Sequence, residues 1–269
     1  MLLAFTFLGI LGLSWGVCPP AELIAPLCTC RDFHDSMMTC SNVFNGDDLL
    51  DPLQALMGRK YKIFSFEINN SSLLYIPHNL FKGAHIEKIR FLKSEIMALS
   101  DIDIAFEGLE DTLTELRATN AHYGAQWDWQ QLRNLRQLKL LDLNFIVLGS
   151  ITQAFPNLKN LNALGITNAE IQDIVDYAFA DLPALRIFNM MKNQISEVKR
   201  SMLPMPALEL TFIDLSYNQL EEIPKDFFTS MPSLIHVSLG YNKLIVIPED
   251  TFKVPLQHLE ALLYDGKNI

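Results

Sequence analysis

Only a few side chains in this sequence have the types and spacing that enzyme chemistry requires. The chain has no Gly-x-Ser-x-Gly nucleophile motif, no His-Glu-x-x-His metal motif and no glycine-rich phosphate loop, and its six histidines are scattered. Asp214, His236 and Ser238 could share one face of a sheet. Side chains two positions apart on a strand lie about 7 Å from each other, which is too far for a nucleophile and its base. We therefore expect no catalysis and no cofactor.

Four cysteines near the N-terminus can form covalent bonds with each other. They are Cys18, Cys28, Cys30 and Cys40. A Cys28–Cys30 bond is sterically poor, but counting alone does not rank the pairing 18–30 with 28–40 against 18–40 with 28–30. A zinc site is disfavoured because the chain lacks two separated Cys-x-x-Cys pairs. We expect disulfides here and no metal.

Residues 1–16 have the features of a secretory signal peptide. An apolar run from Leu2 to Leu13 is followed by the small residues Ser14 and Gly16, although no Lys or Arg precedes the run. The alternative is a hydrophobic first helix of the domain. No other run approaches the roughly eighteen apolar residues of a membrane span. The sequence therefore predicts a secreted, extracellular protein without a membrane span.

Two overlapping sequons provide a candidate modification site. Asn69 and Asn70 each begin an Asn-x-Ser motif, completed by Ser71 and Ser72. In an exported protein such a motif is an acceptor for N-glycosylation. We expect one of the two asparagines to carry a glycan, which would make the protein a glycoprotein.

A sequence repeat must position all these residues. From Leu210 the pattern Leu-x-x-Ile-x-Leu-x-x-Asn-x-Leu runs to Leu220, and it begins again at Leu234. Because Ile213 and Leu215 are two apart, their side chains point to the same face of a strand. Related segments begin at Ile63, Ile86, Leu113, Leu138, Leu161, Leu185, Leu210, Leu234 and Leu259. We interpret them as eight complete repeats and a partial ninth.

The repeat also predicts the architecture. A single coil cannot bury its own apolar row, so coils must stack into an α/β solenoid with a parallel sheet on its concave side. Asn218 stands where a buried amide would hydrogen-bond the turning backbone. Asparagine recurs there at Asn193 and Asn242, whereas earlier repeats have Ser71 and Ser94, so other groups must satisfy the early turns.

The cysteine cluster followed by these repeats resembles the extracellular leucine-rich repeat family. The resemblance rests on the spacing Cys18-x9-Cys28-x-Cys30-x9-Cys40 and covers residues 18–269. It implies a leucine-rich repeat horseshoe with a disulfide-bonded N-terminal cap that pairs Cys18 with Cys30 and Cys28 with Cys40. We assign the cap to residues 17–60 and the repeats to residues 61–269, which contain no cysteine-bearing C-terminal cap.

A narrower resemblance is carried by a few short strings. They are the run from Cys18-Pro19-Pro20 to Cys40-Ser41-Asn42, and Asn70-Ser71-Ser72-Leu73 and Ile76-Pro77 downstream of it. These strings look like those of arthropod proteins similar to the non-catalytic subunit of Oplophorus-luciferin 2-monooxygenase. This resemblance implies an alternative role as a structural or accessory subunit of an extracellular complex. A partner would then cover the open C-terminal edge of the solenoid and form a hetero-oligomer with it.

The outward-facing strand positions are the candidate binding residues. Strands about 4.8 Å apart make a concave face roughly 35 Å across, which suits a protein partner better than a metabolite. Its apolar and aromatic composition is typical of binding hot spots, although neighbouring side chains could simply pack on each other. The candidate partner-binding residues are Leu140, Phe145, Ile187, Phe212, Asp214, Tyr217, His236 and Tyr241.

The overall charge narrows the class of partner. The chain has 21 Lys and Arg residues against 31 Asp and Glu residues, a formal net charge of -10. This acidic balance argues against nucleic acid or an anionic membrane as the main partner. We therefore expect a protein partner and no nucleic acid.

Overall fold

The computed structural model describes residues 17–32, 34–57, 61–122, 127–245, 249–252 and 259–264, without the side chains of residues 249 and 250. The predicted signal peptide, residues 1–16, lies outside these ranges. The strands are β1 (Cys28–Asp32), β2 (Ser36–Ser41), β3 (Ile63–Asn69), β4 (Ser72–Tyr75), β5 (Ile86–Leu92), β6 (Glu95–Ala98), β7 (Glu115–Thr119), β8 (Leu140–Asn144), β9 (Ser150–Ile151), β10 (Ala163–Thr167), β11 (Asp173–Ile174), β12 (Ile187–Asn189), β13 (Phe212–Asp214), β14 (His236–Ser238) and β15 (Ala261–Leu263). The α-helices are α1 (Ala21–Ile24), α2 (Leu50–Gln54) and α3 (Glu249–Phe252), and 3-10 helices span Gly46–Leu49, Trp129–Leu132 and Arg200–Met202.

One large sheet runs along the whole described part of the chain. Its strand order there is β1-β2-β3-β5-β7-β8-β10-β12-β13-β14-β15. Neighbours are parallel from β2 onward. Each coil contributes one strand, and its inward residues, such as Ile213 and Leu215, are fully buried. The predicted solenoid with a parallel concave sheet is confirmed.

The interior contains a continuous row of aromatic rings. Trp129 and Phe155 stack at 4.8 Å, Phe155 and Phe179 lie 5.4 Å apart, and the Trp127 indole N–H donates a 2.7 Å hydrogen bond to the Ile96 carbonyl. Two small parallel sheets, β4 with β6 and β9 with β11, flank this core. This row of rings is therefore core packing, because the rings are buried and the Trp127 N–H has a hydrogen-bond partner.

The N-terminal cap is a disulfide-bonded hairpin. Strands β1 and β2 pair antiparallel, with Cys28 opposite Cys40. The disulfides join Cys18 to Cys30 and Cys28 to Cys40, with Cα–Cα distances of 5.6 and 4.0 Å. The pairing implied by the family resemblance is confirmed. Because β2 also pairs with β3, the hairpin covers the edge that the first repeat would otherwise expose.

Buried polar side chains hold the turns that follow the strands. The Asn193 amide oxygen accepts from the backbone N–H groups of Ala169 and Ile171, and its nitrogen donates to the carbonyls of Ile166 and Met190. Serine performs part of this task in the first coils. The Ser71 hydroxyl accepts from the Val43 N–H and donates to the Asn69 carbonyl. Serine hydroxyls therefore satisfy backbone groups of the early turns.

Candidate functional site

The concave face carries two columns of side chains in strict register. In the first column, Leu140 lies opposite Ala163, which lies opposite Ile187, followed by Phe212 and His236. We call Leu140, Ala163, Ile187 and Phe212 the apolar row. All four are partly or largely accessible, and Ile187 is 44% exposed. The structure therefore brings these predicted residues together on one surface.

Three further predicted residues form the edge of this surface. Phe145, Tyr217 and Tyr241 follow the ends of their strands and are 54%, 42% and 56% exposed. We call them the aromatic rim. The rings of Tyr217 and Tyr241 stack 4.1 Å apart with an interplanar angle of 9°, and the Lys192 ammonium lies 5.6 Å from the Tyr217 ring centre. The stack holds two aromatic faces in a fixed orientation beside the apolar row.

Every member of the aromatic rim has a left-handed backbone. Phe145, Tyr217 and Tyr241 have φ values of 52°, 56° and 57°. The same conformation occurs at the equivalent position of each coil, at Asn42, Asn70, Lys93, Asn120, Phe145, Asn168, Lys192, Tyr217 and Tyr241. It turns the chain out of the sheet while the backbone N–H still reaches the next coil. The Tyr217 N–H, for example, donates to the Gly240 carbonyl at 2.8 Å.

This conformation is unfavourable for bulky residues. Asparagine tolerates positive φ, and four of the nine positions have it, whereas an aromatic side chain pays for crowding against its own backbone. Sequence reasoning identified the rings but missed their conformation, and it missed Lys192 altogether. The available signal was that each of these residues directly precedes the turn position of its repeat, which is occupied by Ile146, Asn193, Asn218 or Asn242.

A pair of substitutions at Phe145 tests the left-handed strain. Both Phe145→Gly and Phe145→Ala remove the ring, but only glycine is free of the steric penalty at positive φ. We expect the glycine variant to be more stable by about 1 kcal/mol, measured by urea unfolding.

A matched pair on strand β4 provides the control. Tyr75 lies on an extended strand, so there alanine is expected to be the more stable variant by about 0.5–1 kcal/mol. An alanine variant at Phe145 that equals or exceeds the glycine variant would contradict the strained conformation.

Charged residues cover the N-terminal half of the concave face. The Lys88 ammonium lies 2.7 Å from Glu115, and Arg117 contacts both Glu115 (3.4 Å) and Asp142 (3.0 Å). Partial burial opposes ionisation of Glu115, but hydrogen bonds and charges from Lys88 and Arg117 outweigh it and lower the pKa of Glu115. This half of the face is therefore a paired charge network, in contrast to the apolar row.

Asp214, His236 and Ser238 meet on the concave face without forming a hydrogen-bonded triad in the described structure. The Asp214 carboxylate accepts from the Ser216 N–H and hydroxyl, at 2.8 and 2.6 Å, and so holds its own turn. His236 lies beside Phe212, with ring centres 6.3 Å apart. The carboxylate that a catalytic reading needs is thus engaged in a structural role.

The cap contains one group of atoms close enough to suggest a metal site. Cys18, Cys30 and Asp32 bring their sulfur and carboxylate atoms within 4.8 Å of one another. The two sulfurs form a disulfide, however, and Asp32 accepts hydrogen bonds from the Cys18 backbone N–H. A metal would require free thiolates, so this group is explained by the disulfide.

The two sequon asparagines differ in their surroundings. Asn69 ends strand β3 and is half-buried, whereas Asn70 is exposed at the left-handed turn position. The Asn70 amide donates a 2.6 Å hydrogen bond to the side-chain oxygen of Asn42. No helix in the described part of the chain is long and apolar enough to cross a bilayer.

Comparison with solved structures identifies the fold. The chain aligns with TLR13 in its complex with ssRNA13 at a TM-score of 0.58 and 18% identity, covering 77% of this chain and 32% of that one. It therefore spans about a third of the TLR13 chain. The octameric complex of latrophilin 3, Unc5D and the FLRT2 leucine-rich repeats aligns at a TM-score of 0.56 and 16% identity, covering 90% and 82%. At these identities the similarity concerns the fold alone.

Sequence comparison gives the family. No curated protein matches significantly. Residues 159–220 and 208–268, however, match the family model described as Leucine rich repeat. These matches agree with the parallel solenoid, with the buried Asn193, Asn218 and Asn242 at the turns, and with the alignments above. Residues 159–268 therefore match the leucine-rich repeat family, and the strands that precede them continue the same parallel solenoid.

Proposed function

We propose that this protein is a secreted, non-catalytic module that holds a protein partner on its concave face. The observation that carries the proposal is the apolar row, which lies partly exposed and in register across strands β8, β10, β12 and β13. Exposed contiguous apolar surface on a soluble protein is typical of an interaction site. A curved face of this width fits a folded partner or an extended peptide.

The aromatic rim supports the same proposal. Tyrosine and phenylalanine supply large contact area with few rotatable bonds, so they lose little entropy when a partner binds. In the rim they are exposed and held at strained backbone positions. Backbone strain at an exposed aromatic residue favours a role in recognition over a role in stability.

The non-catalytic assignment is supported by how the candidate triad residues are used. Asp214 is engaged by Ser216, and His236 contributes its ring to the surface beside Phe212. A general base needs a hydrogen-bonded nucleophile within about 3 Å. The side chains of the concave face are instead available to contact side chains of another protein.

Secretion is supported by the cap. Two disulfides cross-link the residues of the cap, and such bonds persist mainly in oxidising compartments. Residues 1–16 supply the export signal in this proposal.

Asn70 is the proposed glycan acceptor. It is exposed, whereas Asn69 is half-buried in β3. We expect Asn70→Gln to abolish, and Asn69→Gln to preserve, the mass loss caused by glycosidase treatment of the protein secreted from eukaryotic cells. Each substitution leaves the other sequon intact. An unchanged mass of the wild type after treatment would rule the glycan out.

The alternative function is a structural or accessory subunit of an extracellular complex. Strand β15 is the last strand of the sheet within the described residues, and there Leu263 and Tyr264 are 63% and 54% exposed. Apolar residues beside a strand edge that pairs with no described strand favour a partner that adds to the sheet. An enzyme could be that partner, as the narrower sequence resemblance implies.

Native mass distinguishes the two functions. The secreted protein is analysed by size exclusion with light scattering, and co-eluting chains are identified. A monomer whose partner dissociates on dilution is the result expected for a recognition module. A stoichiometric second chain that survives dilution would replace it with the subunit function.

A further inference from the structure

A small depression lies in the charged half of the concave face, away from the apolar row. Glu67, Arg90 and Arg117 occupy facing positions on strands β3, β5 and β7. Together with Phe91, Leu92 and Thr119 they line a depression of about 280 Å³. Its volume is suited to one side chain of a partner.

Two nearby acidic residues are already in ion pairs. Glu115 pairs with Lys88, and Asp142 pairs with Arg117 at 3.0 Å. The charged residues that face Arg90 on the two neighbouring strands are Glu67 and Arg117. Glu67 makes no ion pair within 4.0 Å among the described residues. The charge network therefore leaves Arg90 without an ion-pair partner among the described residues.

Arg90 is in an energetically unfavourable position. Its Nε is buried and has no hydrogen-bond acceptor within the described residues. Arg90 also faces Arg117 in the register of strands β5 and β7, and like charges at facing positions destabilise a sheet. An anion beside Arg90 would give its buried donor an acceptor and would reduce this repulsion.

We propose that the depression between Arg90 and Arg117 binds the carboxylate of an acidic side chain on the protein partner. The proposal rests on the proposed function, because the partner must approach the concave face. A guanidinium matches a planar carboxylate in shape and charge, and the Thr119 hydroxyl lines the same depression as a further donor. Glu67, which also lines the depression, repels additional negative charge and so selects a single carboxylate over a polyanion.

The test uses glutarate as a carboxylate probe and glutaramide as its uncharged counterpart. The readout is the side-chain Nε–H resonance of Arg90, observed by NMR. We expect saturable shifts with glutarate, and none with glutaramide or with sodium chloride at equal ionic strength. Equal responses to glutarate and chloride would overturn the site. Tighter binding of inorganic phosphate than of glutarate would overturn its assignment to carboxylate.

Four variants distinguish the site from general electrostatics. Arg117→Gln should weaken glutarate binding about tenfold, which corresponds to one charge-assisted hydrogen bond. Glu67→Gln should strengthen it, and weaker binding in that variant would contradict the selection argument. Arg133→Gln, which removes a cation paired with Asp103, is the control and should leave glutarate binding unchanged. Arg90→Gln should fold with undiminished stability, because it removes the unpartnered donor and the repulsion.

Partner binding provides the second arm. Arg90→Gln should weaken capture of the partner that co-purifies with the wild type, and unchanged capture would remove the site from recognition. If no partner is captured by the wild type, the proposed function fails, whereas the glutarate titration still decides whether the depression binds a carboxylate.

Discussion

Replacing Asn193 with alanine is expected to lower the free energy of unfolding by about 3 kcal/mol, because buried backbone groups lose their hydrogen-bond partner. The Asn193 side chain is 8% exposed and makes four hydrogen bonds to the backbone. Two of them satisfy the N–H groups of Ala169 and Ile171, which lie in the preceding coil. Alanine would leave both groups buried without an acceptor.

The Met190 carbonyl does not add to this loss of stability. It also accepts from Asn218, so it retains a partner when Asn193 is lost. Asn218 satisfies one N–H group, that of Ile195, so Asn218→Ala should cost less than Asn193→Ala. The measurement is urea unfolding followed by circular dichroism.

Asn157→Ala is the matched control. Asn157 is an exposed residue of the same solenoid, and its replacement should change the free energy of unfolding by less than about 0.5 kcal/mol. A loss at Asn193 no greater than that at Asn157 would mean that water or neighbouring groups can replace the buried amide.

The double substitution Phe212→Ala and Tyr241→Ala is expected to weaken partner binding by about 100-fold or more. Buried aromatic anchors at interfaces commonly contribute about 2 kcal/mol each, and each 1.4 kcal/mol is a factor of ten. Phe212 ends the apolar row and Tyr241 belongs to the aromatic rim. The affinity is measured by biolayer interferometry or calorimetry with the partner that co-purifies with the wild type.

The fold should survive this double substitution. Tyr241 is 56% exposed, and the Phe212 side chain lies on the concave face and not in the core. Neither change therefore opens a cavity in the core. Tyr177→Ala is the matched control, because Tyr177 is 66% exposed, also has positive φ and lies outside the concave columns. Retained affinity in the double variant, or an equal loss in the Tyr177 variant, would contradict the concave site.

These predictions assign different tasks to the two halves of the concave face. The apolar row and aromatic rim supply contact area and therefore most of the affinity. The charged half, with Arg90 and Arg117, supplies selection by charge. A partner that satisfies both would present an apolar surface with a nearby acidic side chain.

The repeat pattern is sufficient to predict the coil and the composition of its two faces. Side chains alternate on a strand, so the repeat that buries Ile213 and Leu215 necessarily turns Phe212 and Asp214 outward. The repeat spacing then brings equivalent positions into register, which is why the columns through Phe212 and Asp214 could be written before the structure was known. The cysteine spacing alone left two pairings open.

The way in which successive coils join could not be predicted from the repeat pattern. The left-handed backbone at Phe145, Tyr217 and Tyr241 arises because the chain must leave the sheet while its N–H groups still reach the next coil, a relation that no single repeat contains. The isolation of Arg90 likewise depends on which cation reaches Glu115 and Asp142 across three strands. Both features follow from distances between coils. The residue pattern of one repeat does not contain those distances, because they exist only once the coils have stacked.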